Sequence, residues 1–283
     1  MIKNFLLVSL LFLNSACTQL GIFVINFPTL FSNQKVVKNL DFGSNYGSRL
    51  DLYYPKKADK PSPVIVFFHG GKWMNGKKQD YRFVADAFTK KGYIVIIPDY
   101  VKYPIMKFPA WQEDGAKAVV WAYNNVKNYN GDKNNLFVMG HSAGAHIGAL
   151  LIANNEYLLK QKANRNYIKA FVGIAGPYNF IPDDKDLEAM FAPKENYPNM
   201  QVSTYIDGKQ PPMLLLWGEK DKDVGKSNLD KLENTLKQKG GEYEIKIYPN
   251  IDHIDIITAL SPLKQNLAPV LKDIDAFLRA RVD

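Results

Sequence analysis

Six short, largely apolar runs punctuate the chain: Val64 to Phe68, Tyr93 to Ile97, Leu136 to Met139, Ala170 to Ile174, Met213 to Trp217 and Tyr243 to Tyr248. Runs of this length suit strands buried on both faces. The segments between them follow a longer period. Trp111, Gly115, Ala118, Val119, Ala122 and Val126 share one helical face, Leu229, Leu232 and Leu236 another, and Leu267, Val270, Leu271, Ile274 and Leu278 form a third stripe. Apolar strands alternating with amphipathic helices predict an α/β domain, a mostly parallel sheet covered by helices on both faces. Leu50 to Tyr54 alternates as an edge-type strand would before Pro55 stops it.

Two segments stand outside this alternation. Leu20 to Phe31 is apolar and aromatic but is broken by Pro28, so it is expected to pack on the domain or lie against a membrane rather than span one. Gly176 to Pro212 is rich in proline, aspartate and aromatic residues, with one short helical pattern around Asp186 to Phe191. A connection of that length reads as a cap over a site, the alternative being a surface excursion.

Composition bounds the rest. At 283 residues, with 46% hydrophobic and 23% charged content, the chain suits one large globular domain. The formal charge of +8 comes from lysines scattered along the length, without a block of like charge, which argues against a nucleic-acid partner. Met1-Ile2-Lys3, the apolar run Phe5 to Leu13 and the small residues Ser15-Ala16 before Cys17 have the form of an export signal. They resemble a bacterial lipoprotein signal, in which Cys17 would be lipidated and become the first mature residue, although Asn14 stands where leucine is usual. The alternatives are a plain secretory signal and an uncleaved anchor. Cys17 is the only cysteine, so no internal disulfide forms. The expected organisation is a signal over 1–16, an N-terminal segment over 17–45, and one domain over 46–283 carrying the cap at 176–212. An exported, membrane-tethered protein follows from that reading.

The chemistry centres on Gly140-His141-Ser142-Ala143-Gly144, a Gly-x-Ser-x-Gly elbow set between an apolar strand and a small-residue helix from Ala145 to Ala153. A turn that lifts a serine above a sheet leaves little room for flanking Cβ atoms, and Gly140 and Gly144 meet that need. A serine hydroxyl needs a base, and the base a carboxylate. Of the four histidines, His253 follows the final strand in a polar loop, where it can reach Ser142, whereas His141 and His146 read as packing or turn residues. The carboxylate is expected at the end of Met213 to Trp217. Asp221 is preferred for its Gly-x-x-Asp-x-x-Val spacing, with Asp223 the runner-up. His69-Gly70-Gly71-Lys72-Trp73 follows another strand, and its glycines leave backbone N–H groups free to face a developing oxyanion, with Ala143 N–H on the other side.

From Leu50 onward the chain resembles the α/β-hydrolases of the esterase and lipase group, nearest to small carboxylesterases, kynurenine-formamidase-like and isoprenylcysteine-methylesterase-like enzymes. The motifs are the His69 to Trp73 turn, Asp99-Tyr100 followed by Phe108-Pro109-Ala110, Gly140 to His146, Gly218 to Val224, and His253. Lys72 in place of a third glycine and Val101 in place of an arginine depart from the hormone-sensitive-lipase-like pattern. The resemblance implies a sheet of about seven to eight strands and Ser142 as nucleophile. It also implies Gly70, Gly71 and Ala143 as oxyanion donors, and no metal or organic cofactor. A small-molecule ester is the implied substrate. The rivals are an amidase or formamidase with the same groups, and a hydrolase-fold binding protein without activity.

Overall fold

The structure, a computed structural model, describes residues 20–283; the signal expected at 1–16 and Cys17 lie outside the described residues. Eight strands form one sheet in the order β1-β2-β4-β3-β5-β6-β7-β8. They are β1 (Lys35–Asp41), β2 (Arg49–Tyr54), β3 (Ser62–Phe68), β4 (Ile94–Pro98), β5 (Gly131–His141), β6 (Ala170–Ile174), β7 (Met213–Gly218) and β8 (Tyr243–Tyr248). β2 runs antiparallel to both β1 and β4, and every other pair is parallel. The main helices are α1 (Arg82–Thr89), α2 (Ala110–Asn125), α3 (Ala143–Ala153), α4 (Lys185–Phe191), α5 (Ser227–Lys239) and α6 (Val270–Arg279). The continuous runs of β3, β4, β6 and β7 are buried along their whole length, as strands covered on both faces must be.

Four expectations are corrected. The sheet begins at Lys35, ahead of the boundary set at residue 46, because β1 pairs with β2. β1 escapes a pattern search because none of its residues is buried. Leu50 to Tyr54 is consequently an interior strand. Asp51, the polar residue that gives it an alternating look, is buried with its Oδ1 accepting the Asn39 N–H at 2.9 Å and lying 3.7 Å from Lys78 Nζ. The edges are β1 and Tyr243 to Tyr248, the latter expected as a buried run but carrying three exposed residues in six. The last helix starts at Val270, and Leu267 stands 45% exposed ahead of it.

The segment from Gly176 to Pro212 is folded onto the domain. It contains α4, and Phe191 at its end packs edge-on against Trp73 and Trp111, with ring centroids 5.1 and 5.6 Å apart. The Phe108 N–H donates to the Met190 carbonyl at 3.0 Å. Such edge-to-face contacts add about 1 kcal/mol each beyond area burial, so a segment built of short helical turns and irregular backbone is held by an aromatic cluster.

Candidate active site

β5 ends where α3 begins, and Ser142 sits at the junction with φ 54° and ψ −123°. This left-handed conformation strains any residue with a Cβ, and the surroundings enforce it. The Ser142 N–H donates to the Ile174 carbonyl of β6 at 2.9 Å, and its carbonyl accepts from His146 N–H at 3.1 Å. A Cβ on Gly140 would run into the Gly144 backbone, and one on Gly144 into the carbonyl of Phe68. Neither obstacle is a movable side chain. Gly144→Ala is expected to cost about 3 kcal/mol or more, as overpacking against fixed backbone does; the midpoint of urea unfolding checks it, and a midpoint near that of the parent would show that the elbow can yield.

His253 and Asp221 meet as the chain order anticipates. His253 Nδ1 lies 2.8 Å from Asp221 Oδ2, and both residues are buried. A carboxylate only accepts, so Nδ1 carries the proton and Nε2 is left with its lone pair. The other oxygen, Oδ1, accepts the N–H groups of Asp223 at 2.9 Å and Val224 at 2.8 Å. Asp223 thus serves Asp221 through its backbone while its own carboxylate is exposed. Asp221, Asp223 and His253 also lie close enough together to hold a cation, although the Asp221 carboxylate already accepts from His253 Nδ1 and from the Asp223 and Val224 N–H groups.

Ser142, His253, Ala143 and Gly71 line one cavity of about 760 Å³. The two glycines of the turn have separate tasks. Gly71, at φ +129°, faces the cavity, and its carbonyl accepts from Met74 and Asn75 N–H at 3.0 and 2.8 Å, which closes the turn. Gly70 does not line the cavity. A Cβ there would come within 2.9 Å of His141 Nδ1 and 3.0 Å of the Tyr81 hydroxyl, so its bareness lets the turn approach the elbow. Lys72, expected only as a departure from a motif, takes a place in the cavity wall at φ 55°. Its Nζ donates to Asp184 Oδ2 at 2.9 Å, which ties the turn to the first residue before α4.

Behind the turn lies a polar network that supports it. His69 Nδ1 donates to the Gly70 carbonyl at 2.7 Å, and the Tyr100 hydroxyl donates to the His69 carbonyl at 3.0 Å while its ring stacks on the imidazole. His69 Nε2 stands 3.3 Å from Asp99 Oδ1, without the alignment of a hydrogen bond. Burial alone would raise the Asp99 carboxyl, but His69, Lys102 and the Lys78 amide outweigh it and bring Asp99 down to about 2. The Asp99-Tyr100 pair therefore supports the turn through His69.

Two histidines read from sequence as packing residues have more specific places. His141 Nε2 lies 3.1 Å from the His253 carbonyl, an acceptor, so Nε2 donates and Nδ1 is left to accept from the Tyr81 hydroxyl at 3.4 Å. The residue before the nucleophile thereby holds the backbone of the base. His146 Nε2 donates to the Met200 carbonyl at 2.8 Å and joins the elbow helix to the cap. Only the third dimension reveals either link, the one hint in sequence being a histidine beside the reactive serine.

Both imidazoles are fully enclosed, and burial pushes His141 well below the usual histidine value of 6.5 and His146 down to about 4. Below pH 6.5 the unfolded chain gains protons at these positions that the folded chain refuses, so stability rises with pH and is lost as pH falls from 6.5 toward 4. The slope is about 1.4 kcal/mol per pH unit for each histidine. Urea unfolding in steps between those limits measures it. His146→Gln is expected to remove one histidine's share, and an unchanged slope would reject this origin.

Fold and site together define an α/β-hydrolase with the parts of a serine hydrolase. A family model described as BD-FAE matches residues 50–236, well over half of the chain. The chain belongs to the BD-FAE family. Among curated relatives, a probable isoprenylcysteine alpha-carbonyl methylesterase of Oryza sativa is 27% identical over 92% of this chain and 67% of its own length. A kynurenine formamidase of Salmo salar is 22% identical over 78% of this chain and 76% of its own. The chain spans 56% to 67% of the length of the first four plant methylesterases that it matches. Among solved structures, a truncated carbohydrate esterase from gut microbiota superposes with a TM-score of 0.76 at 20% identity, covering 87% of this chain and 96% of that one. Esterase B from Lactobacillus rhamnosis gives 0.76 at 17% identity over 99% and 98%.

Proposed function

We propose that the protein hydrolyses small carboxylic esters by acyl transfer to Ser142. The observation that carries this reading is the Asp221–His253 pair, set against the same cavity as a serine held in the strained elbow. His253 Nε2 takes the Ser142 proton as Oγ attacks the ester carbonyl. The Asp221 carboxylate steadies the imidazolium, and the N–H groups of Gly71 and Ala143 receive the oxyanion, each such donor contributing about 3 kcal/mol to the transition state. His253 then protonates the leaving alcohol. Water, activated by the same imidazole, releases the acid from the serine.

The walls indicate how a substrate lies. Trp73, Phe180, Ile181 and Leu187 supply apolar lining, and Asp223, Ser227, Asn228 and Lys231 polar lining. A short acyl group on the apolar lining and a polar alcohol on the polar lining is the arrangement inferred for this cavity of about 760 Å³. The Salmo salar relative, named a kynurenine formamidase, favours amide cleavage as the second reading, since the same groups serve it. A chain-length series of chromogenic esters, with N-formylkynurenine included, separates the two. The ester reading expects a peak at short acyl groups, and is overturned by a formamide cleaved faster than every ester or by a peak at palmitoyl.

A further inference from the structure

Residues 20–31 carry an apolar surface for which the fold has no use. Residues 20–26 are helical, and Phe27–Phe31 continues them as a 3-10 turn. One face is fixed to the domain. Ile25 and Asn26 are buried, Asn26 Nδ2 donates to the Asp80 carbonyl at 2.8 Å, and Asn26 Oδ1 accepts the Phe83 N–H at 3.0 Å. The Ser261 hydroxyl donates to the Ile25 carbonyl at 3.0 Å. The opposite face is turned outward: Leu20, Phe23, Val24, Phe27, Leu30 and Phe31 range from 46% to 75% exposed. Phe23, Phe27 and Phe31 form a ladder, with successive ring centroids 6.2 and 5.6 Å apart. So many large apolar side chains gathered in one stretch mark a contact surface, not the scattered exposure of an ordinary exterior.

We propose that this face docks the protein on a phospholipid bilayer, with the phenylalanine ladder at the boundary of headgroups and acyl chains. The chain leading into it is the first reason for choosing a bilayer. The apolar run Phe5 to Leu13 and Cys17 read as an export signal or anchor, and three residues at about 3.5 Å each keep Leu20 within about 10 Å of Cys17. The second reason is its form. No helix among the described residues is long and apolar enough to cross a membrane, whereas a short segment with one fixed face and one aromatic face suits lying in the interface. Charge is the third. The chain carries +8, and Lys77 and Lys264, one turn from the anchoring residues Asp80 and Ser261, keep 56% and 42% of their side chains exposed while pairing with Asp80 at 3.9 Å and Asp255 at 3.0 Å, so the attraction to anionic headgroups rests on the net positive charge more than on these two. The anchored side of the segment reaches toward the site, because Asn26 bonds the Asp80 carbonyl and Tyr81, the next residue, stands in the cavity wall.

The test uses the full chain with Cys17→Ser, so that one introduced cysteine carries a fluorophore, at Phe27→Cys or, as a control, at Lys237→Cys on α5. The probe vesicles are phosphatidylcholine and phosphatidylglycerol with brominated acyl chains, which quench only what lies at their depth. The expected result is loss of most of the emission at position 27 and none at 237. Emission retained at 27 on vesicles that the chain has bound would overturn the proposal, as would failure to bind them. A position-27 probe already shielded without lipid would also overturn it, since that result means a second copy or residues 1–19 cover the face. Turnover of a soluble ester by each labelled protein shows that the fold is kept.

Discussion

Ser142→Ala is expected to lower turnover of an ester about a million-fold, the loss that removal of a serine nucleophile produces when base and oxyanion donors remain. The variant should fold as the parent does. The strained φ of 54° penalises any residue with a Cβ, and alanine brings no more of one than serine. The hydroxyl is not part of the backbone anchoring either, which runs through the Ser142 N–H to Ile174 and the Ser142 carbonyl to His146. Burst kinetics and labelling by a fluorophosphonate probe give the direct readout: the parent is labelled at Ser142 and the variant is not. A variant keeping more than a hundredth of the parent's rate, with an unchanged unfolding midpoint, would reject acyl transfer through this residue.

Asp221→Asn is expected to cost about 10⁴ in kcat, while Asp223→Asn changes it by no more than about threefold. The direction of the larger effect follows from the two N–H groups at Asp221 Oδ1. They require an acceptor there, so asparagine must place its oxygen toward Asp223 and Val224 and its NH2 toward His253. An NH2 facing Nδ1 forces the proton onto Nε2, where it blocks removal of the Ser142 proton. Geometry is kept and the tautomer is wrong. The Asp223 carboxylate is exposed, so its loss leaves this arrangement intact. Equal losses in the two variants, measured at saturating ester, would show that both acids act as a unit.

Most strands, and the segments that bring Ser142, Asp221 and His253 near one another, were legible in the sequence because both leave short-range signals. Buried strands such as Val64 to Phe68 appear as uninterrupted apolar runs, and the elbow announces itself by two glycines about a serine. What stayed hidden depended on contacts between distant segments. Asp221 and Asp223 share one loop, and only the direction of their side chains separates them. β1 has no buried residue to betray it, so Leu50 to Tyr54 looked like an edge that β1 in fact covers. Gly70 and Gly71 are neighbours with different duties, one facing the elbow and the other the cavity. The segment from Gly176 to Pro212 was visible as a region of unusual length and composition, but not the aromatic cluster of Trp73, Trp111 and Phe191 that holds it.

The hydrogen bond from His141 to the His253 carbonyl bears on how the elbow may be redesigned. In a Gly-x-Ser-x-Gly motif the x positions are the natural places to randomise when a library is built to change what the nucleophile accepts. Here the first of them steers the base. A library varied at position 141 would therefore sample the placement of the proton acceptor, and its inactive members would say nothing about which acyl groups the serine can reach. Diversity is better spent on Ile181 and Leu187, which line the cavity from the segment after β6.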